Sequence, residues 1–95
     1  MKLKIEGNRL VIEGNIKSLK DLEDIKSALD SMKKEHNSIK IDIVDSISIT
    51  SSVIGYINKL IHADNVNISI EVGTQQLYEI LDELNLIDEF KVKRK

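Results

Sequence analysis

Apolar residues change their spacing several times along this chain. Leu3 and Ile5 alternate with lysines, and Leu10 and Ile12 repeat the alternation after Gly7-Asn8. A period of two marks an extended strand with one covered face, and Gly-Asn suits a tight turn, so residues 2–13 are predicted to form a hairpin that Gly14-Asn15 ends. Leu19, Leu22, Ile25, Leu29 and Met32 then recur every three or four residues, with Ala28 beside them, which predicts a helix over 18–35. Ser18 can cap its start, Asp21 lies in its first turn and Lys33-Lys34 in its last, as the helix dipole favours. Ile39, Ile41 and Ile43 return to strand spacing, Asp45-Ser46 interrupts it, and Ile47 and Ile49 resume an apolar approach to Ser51 and Ser52. Val53, Tyr56, Ile57, Leu60 and Ile61 make the stripe of a second helix over 51–62. Val66, Ile68, Ile70 and Val72 form a further strand, ended by Gly73-Thr74, and Thr74 caps a third helix with the stripe Leu77, Ile80, Leu81 and Leu84. Leu86, Ile87 and Phe90 then offer a docking segment, and the residues after Asp88 fit either a short strand or a tail.

The predicted order is β-β-α-β-α-β-α with a terminal segment. Strands joined by helices of this length pair mainly in parallel, through right-handed crossovers. The strands alternate and are not apolar throughout, so helices should cover one face only. The expected fold is α/β, a single-layer mixed, mainly parallel sheet with helices packed mostly on one face. Gly55 stands inside the second helix, where glycine costs about 1 kcal/mol relative to alanine. That suggests backbone packed closely against a neighbour.

Ninety-five residues suit one small domain over 1–95. Tyr56, Tyr78 and Phe90 are the only aromatics, so the core rests on Ile, Leu and Val. A formal net charge of -2 speaks against a nucleic-acid surface, and the final KVKRK reads first as a solvated tail. The chain has no cysteine, which fits a reducing, cytoplasmic setting without a disulfide framework or thiolate metal site. No apolar run approaches the ~20 residues that span a bilayer, so no direct membrane insertion is expected. No phosphate-binding glycine loop or GxSxG elbow appears, and His36 and His62 have no ligand spacing to a carboxylate, so no catalytic residue, cofactor or metal is assigned. Residues 71–90 hold six acidic residues and no Lys or Arg, a face that could steer a basic partner or simply be solvated.

Ser51 and Ser52 stand where a strand ends and a helix begins. A serine there can satisfy an orphan helix N–H, worth about 1 kcal/mol, and Ser51 is the expected cap. A phosphate on Ser52 would meet free N–H groups and the positive end of the helix while adding close to two negative charges to a contact surface.

The run DIVDSISIT at Asp42–Thr50, then SSV at Ser51–Val53, Gly55 in the helix, NISIEV and finally NLIDEF, resembles the STAS domains. These comprise bacterial anti-sigma-factor antagonists and the cytoplasmic domains of sulfate transporters, and the resemblance spans nearly the whole chain. It implies a non-enzymatic regulatory domain whose second serine, here Ser52, is phosphorylated by a partner anti-sigma kinase. The implied partner surface is Thr50, Ser51, Ser52, Val53 and Tyr56. Thr50 replaces the family's acidic residue, Val53 its glycine, and Lys17 aligns roughly with an aspartate. These changes alter the electrostatics around Ser52, and Val53 is expected to add bulk where a partner approaches. The family also includes adaptor subunits of phospholipid-transport ABC ATPases, which need no phosphate, and domains thought to sense nucleotides or lipids. Regulator, adaptor and small-molecule sensor are therefore the three functional expectations.

Overall fold

Each change of spacing becomes an element in the computed structural model, which describes residues 1–95. The elements are β1 (Lys2–Glu6), β2 (Arg9–Glu13), α1 (Leu19–Lys33), β3 (Ser38–Ile43), α2 (Ser51–His62), β4 (Asn67–Val72), α3 (Gln75–Glu83) and β5 (Val92–Arg94). The strands form one sheet in the order β1-β2-β3-β4-β5. β1 and β2 pair antiparallel through a two-residue turn in which Gly7 takes φ 63°, and the other pairings are parallel. Each crossover moves one strand further in the same direction, so crossovers of the usual right hand put all three helices on one face. The expected mixed, mainly parallel α/β sheet covered on one side is therefore present.

Register builds the core in rows. Leu10, Ile41, Ile70 and Val92 are mutual neighbours across four strands, and Ile12, Ile43 and Val72 form the next row. All seven are buried. The helices lay Ile25, Leu29 and Met32, then Val53, Ile57 and Leu60, then Leu77 and Leu81 onto these rows. Ser18 caps α1 in a full capping box, accepting from the Asp21 N–H while the Asp21 carboxylate accepts from the Ser18 N–H.

At the end of β4 the backbone closes onto the chain leaving β3. The Gly73 N–H donates to the Ile43 carbonyl at 2.9 Å, and a Cβ on Gly73 would stand 1.8 Å from the Val44 carbonyl oxygen. No side chain fits against a backbone atom at that distance.

Three features differ from the sequence expectation. Leu19, counted in the α1 stripe, is 70% exposed, because it is the first helical residue and the stripe meets the sheet only from Leu22 onward. Leu84 is likewise exposed at the end of α3, and Leu86 and Ile87 pack against the core beyond it. The basic run after Phe90 is a strand and not a solvated tail: wholly buried Phe90 anchors it, and β5 pairs with β4 from Ile70↔Val92 to Val72↔Arg94.

The uncovered face explains how such a short basic strand is held. Asp42 lies on that face yet is only 2% exposed, because two cations cover it. Arg9 Nη2 meets Asp42 Oδ2 at 2.7 Å and Lys95 Nζ meets the same oxygen at 2.6 Å, while Arg9 Nη1 reaches Glu71 Oε1 at 3.3 Å. Burial pushes the Asp42 carboxyl up, but the hydrogen bonds from Lys95 and Arg9 outweigh it and hold the group below the usual carboxylate range.

Two expected outcomes follow from this packing. Gly73→Ala should lose about 3 kcal/mol or more of stability in urea unfolding, since backbone on both sides has nowhere to move. Asp42 is held below its unfolded value of about 3.9, so its stabilisation is complete above that pH and is lost as pH falls through the folded value. Urea midpoints of the native chain should therefore drop below about pH 4, and Asp42→Asn should flatten that drop.

Candidate functional site

The parallel strands β2, β3 and β4 end together, and the loops that leave them lead into α1, α2 and α3. One buried residue, Ser46, ties these loops to each other. Its hydroxyl accepts from the Ile16 N–H at 3.1 Å and donates to the Ser48 carbonyl at 2.7 Å. Its own carbonyl accepts from the Thr74 hydroxyl at 2.9 Å. The Ile47 N–H donates to Asn15 Oδ1 at 3.1 Å, the Ser48 hydroxyl to the Ile16 carbonyl at 3.2 Å, and the Gly14 N–H to Asp45 Oδ1 at 2.7 Å. A serine hydroxyl can donate once and accept twice, which suits a junction where backbone groups of two loops face each other. The start of α2 is thereby fixed from both sides.

The cap of α2 is Thr50, and not Ser51. Thr50 keeps an extended backbone (φ -86°, ψ 154°) and its Oγ1 accepts from the Val53 N–H at 3.2 Å. Capping requires a residue of extended backbone immediately before the helix, and the chain is already helical at Ser51. Ser51 and Ser52 are the first two helical residues, both exposed and both released from capping.

Val53 and Tyr56, expected on the partner surface, point the other way. Val53 is 1% exposed and packs in the core, so it adds no bulk where a partner would approach. Tyr56 is 8% exposed, and its hydroxyl donates to the Asp30 carboxylate on α1. Burial, reinforced by that carboxylate, pushes the Tyr56 phenol well above its ordinary range. Lys26 and Lys59 lie 5.5 and 5.7 Å from its ring centre, so the ring is enclosed between α1 and α2. Helical geometry decides this: 53, 56, 57 and 60 share the inward stripe, and 51, 52, 55 and 58 share the outward one.

The outward stripe contains Gly55, where an added Cβ would find no heavy atom within 4 Å. No part of this chain supplies the close backbone packing expected there. Beside this stripe is a cleft of about 190 Å³ lined by Lys17, Ser18, Leu19, Leu22, Thr50 and Ser52. It joins the N-terminal ends of α1 and α2, and α2 has no acidic residue in its first turn. Asp21, on the α1 side, is committed to the Lys17 and Ser18 N–H groups, and the bond from Lys17 holds its carboxyl below the usual range. Lys17, noted in the sequence for its effect on the electrostatics around Ser52, shares the cleft with it. Leu19 is a site residue that sequence reasoning does not select, because a leucine in a stripe carries no signal of a cleft.

The remaining chemistry is dispersed. No three His, Asp or Glu side chains come together as a metal site, and no helix is long and apolar enough to cross a membrane. His62 Nε2 lies 2.6 Å from Glu89 Oε1, and Glu79, Asp82, Glu83 and Asp88 are exposed. Comparison with protein families, curated proteins and solved structures finds no match to this chain.

The capping geometry sets a clear order of effects. Thr50→Ala should lower stability by about 1 kcal/mol, whereas Ser51→Ala should stay within about 0.5 kcal/mol of the native chain. Ser46→Ala, which leaves the buried Ile16 N–H without its acceptor, should lose about 1–3 kcal/mol. Urea unfolding of the three variants checks the ranking.

Proposed function

We propose that this chain is a non-enzymatic, STAS-type domain that binds and regulates a protein partner through the outward stripe at the start of α2, with Ser52 as the phosphate acceptor. One observation carries the reading: Ser51, Ser52 and Gly55 form an exposed face in which the glycine has no intramolecular use. Glycine at that position costs about 1 kcal/mol against alanine, and the natural return is close approach by another molecule's backbone. The arrangement of sheet and helices agrees with what the STAS resemblance implies, and so does the position of the two serines on the first turn of the second helix.

The chemistry of a switch is present there. A phosphate on Ser52 would lie at the positive end of α2 with no acidic neighbour in the first turn, and Lys17 lines the same cleft. It would add close to two negative charges to the face that a partner must cover. Thr50, which stands in place of the family's acidic residue, serves as the cap and leaves Ser52 free. The partner on this reading is an anti-sigma kinase or a related regulator.

Two measurements test it. Gly55→Ala should raise stability by about 1 kcal/mol, yet Gly55→Arg should abolish capture of the partner without unfolding the chain. Incubation with the co-purifying kinase and ATP should place phosphate on Ser52 in mass mapping, and phosphate on neither Ser51 nor Ser52 would sink the switch. Co-purification of an ABC ATPase through the same face, unaffected by Ser52→Ala, would instead favour the adaptor role.

A further inference from the structure

The uncovered face of the sheet has its own cleft, on the side away from the three helices and from Ser52. It measures about 150 Å³ and lies at the end of the sheet where β3 and β4 begin. Asn8, Ser38, Lys40, Asn67, Ser69 and Lys91 supply its polar lining, and no carboxylate is among them.

Counting donors and acceptors shows what the cleft can still bind. Two of its acceptors are engaged, the Ser38 carbonyl by the Asn8 side-chain amide at 3.1 Å and Asn67 Oδ1 by Lys91 Nζ at 2.6 Å. That leaves Asn8 Oδ1 and the serine oxygens against a larger number of N–H and O–H groups. Asn67 Nδ2 reaches Ser38 Oγ at a long 3.4 Å. The unused capacity is therefore mostly donor: the second N–H of Asn8, the hydroxyls of Ser38 and Ser69, and the ammonium groups of Lys40 and Lys91. Lys91 pairs with no carboxylate, and Lys40 has a single long ion pair. Lys40 Nζ is 3.9 Å from Glu71 Oε1, and that oxygen is closer to Arg9, at 3.3 Å. Lys91 meets only the Asn67 amide, and its backbone is left-handed at φ 49°, uncommon for a lysine. The Lys91 carbonyl accepts from the Ile70 N–H at 3.3 Å, and buried Phe90 precedes it, so the residue is held at the rim and is not on a free tail.

We propose that this cleft binds a small tetrahedral oxyanion, phosphate or sulfate, either free or as a small phosphate monoester. Two lysines lining the cleft among neutral donors match such an ion, which offers acceptors in every direction. The volume is below the ~300–1,000 Å³ of pockets that enclose a drug-sized ligand, so the ion itself and not a large attached group is recognised. The proposal is independent of the role given to Ser52, because the two sites lie on opposite faces of the sheet.

The test is titration of the isotope-labelled chain with inorganic phosphate, followed by two-dimensional NMR at constant pH and ionic strength. Saturable shifts are expected for the side-chain amides of Asn8 and Asn67 and for the backbone of Lys40 and Ser69, with sulfate competing. Glycerol 3-phosphate forms a second arm: saturation at the same residues assigns an ester, and failure there with success for phosphate assigns the free ion. The paired variant Lys40→Gln/Lys91→Gln should weaken the response by about tenfold or more, while Lys20→Gln on α1 leaves it unchanged. Shifts that rise linearly, that chloride reproduces, or that persist undiminished in the paired variant would overturn the proposal.

Discussion

The hydroxyl of Ser46 is the hinge on which the arrangement of the helices rests. It sits where three parallel strands stop and joins the loops before α1 and α2, while the same residue's carbonyl accepts from Thr74 in the loop before α3. Backbone groups in buried loops have no ladder to satisfy them, and an unmet one costs about as much as the stability of many surface contacts combined. Ser46 removes that difficulty at one point for two N-terminal loops and presents its carbonyl to the third. The consequence reaches the surface: the chain turns helical after Thr50 at a fixed place, so Ser51, Ser52 and Gly55 face outward together.

The two faces of the sheet are stabilised by different physics. On the covered side, rows of isoleucine, leucine and valine run across the strands, and removal of their apolar area from water supplies most of the stabilisation. On the uncovered side, charge does the organising. Arg9 bridges Asp42 and Glu71 across three strands, and Lys95 returns to Asp42 from beyond β5. Buried ion pairs of this kind are weak as sources of net stability, and their effect lies more in fixing which groups sit together. Here they settle the position of a three-residue strand that has little hydrophobic area of its own, and they draw Glu71 toward Arg9, so that Lys40 reaches it only at 3.9 Å.

The sequence is most legible where one physical period governs a whole segment. The hairpin, α1, β3, α2, β4 and α3 are all readable because each repeats one spacing over several turns or pleats. Three residues of β5 have no period to read, and their place depends on Phe90, Lys95 and the pairing with β4 across α3. The cap of α2 is displaced by one residue from its expected place because Thr50, Ser51 and Ser52 can all serve, and only the point where the backbone becomes helical chooses among them. Tyr56 fits both the stripe and a contact surface in sequence, and its place on the inward stripe excludes the second role. Gly55 shows the reverse: its presence in a helix is visible in sequence, but only coordinates reveal that nothing in the chain lies against it. Ser46 looks like an interruption between isoleucines, since a junction among loops leaves no spacing in the sequence.

The spatial order of the strands repeats their order along the chain. Every strand therefore pairs with the one made just before it, and no segment must wait for a distant one before finding its neighbour. The hairpin closes a two-residue turn, whereas each parallel pairing must first close a crossover of about 22–31 residues, and that entropy is lost before its contacts form. The sheet can grow from the β1–β2 hairpin outward as the chain leaves the ribosome, each crossover adding one strand and one helix to the same side. Only the last strand, clamped by a salt link to the middle of the sheet, returns to structure already in place.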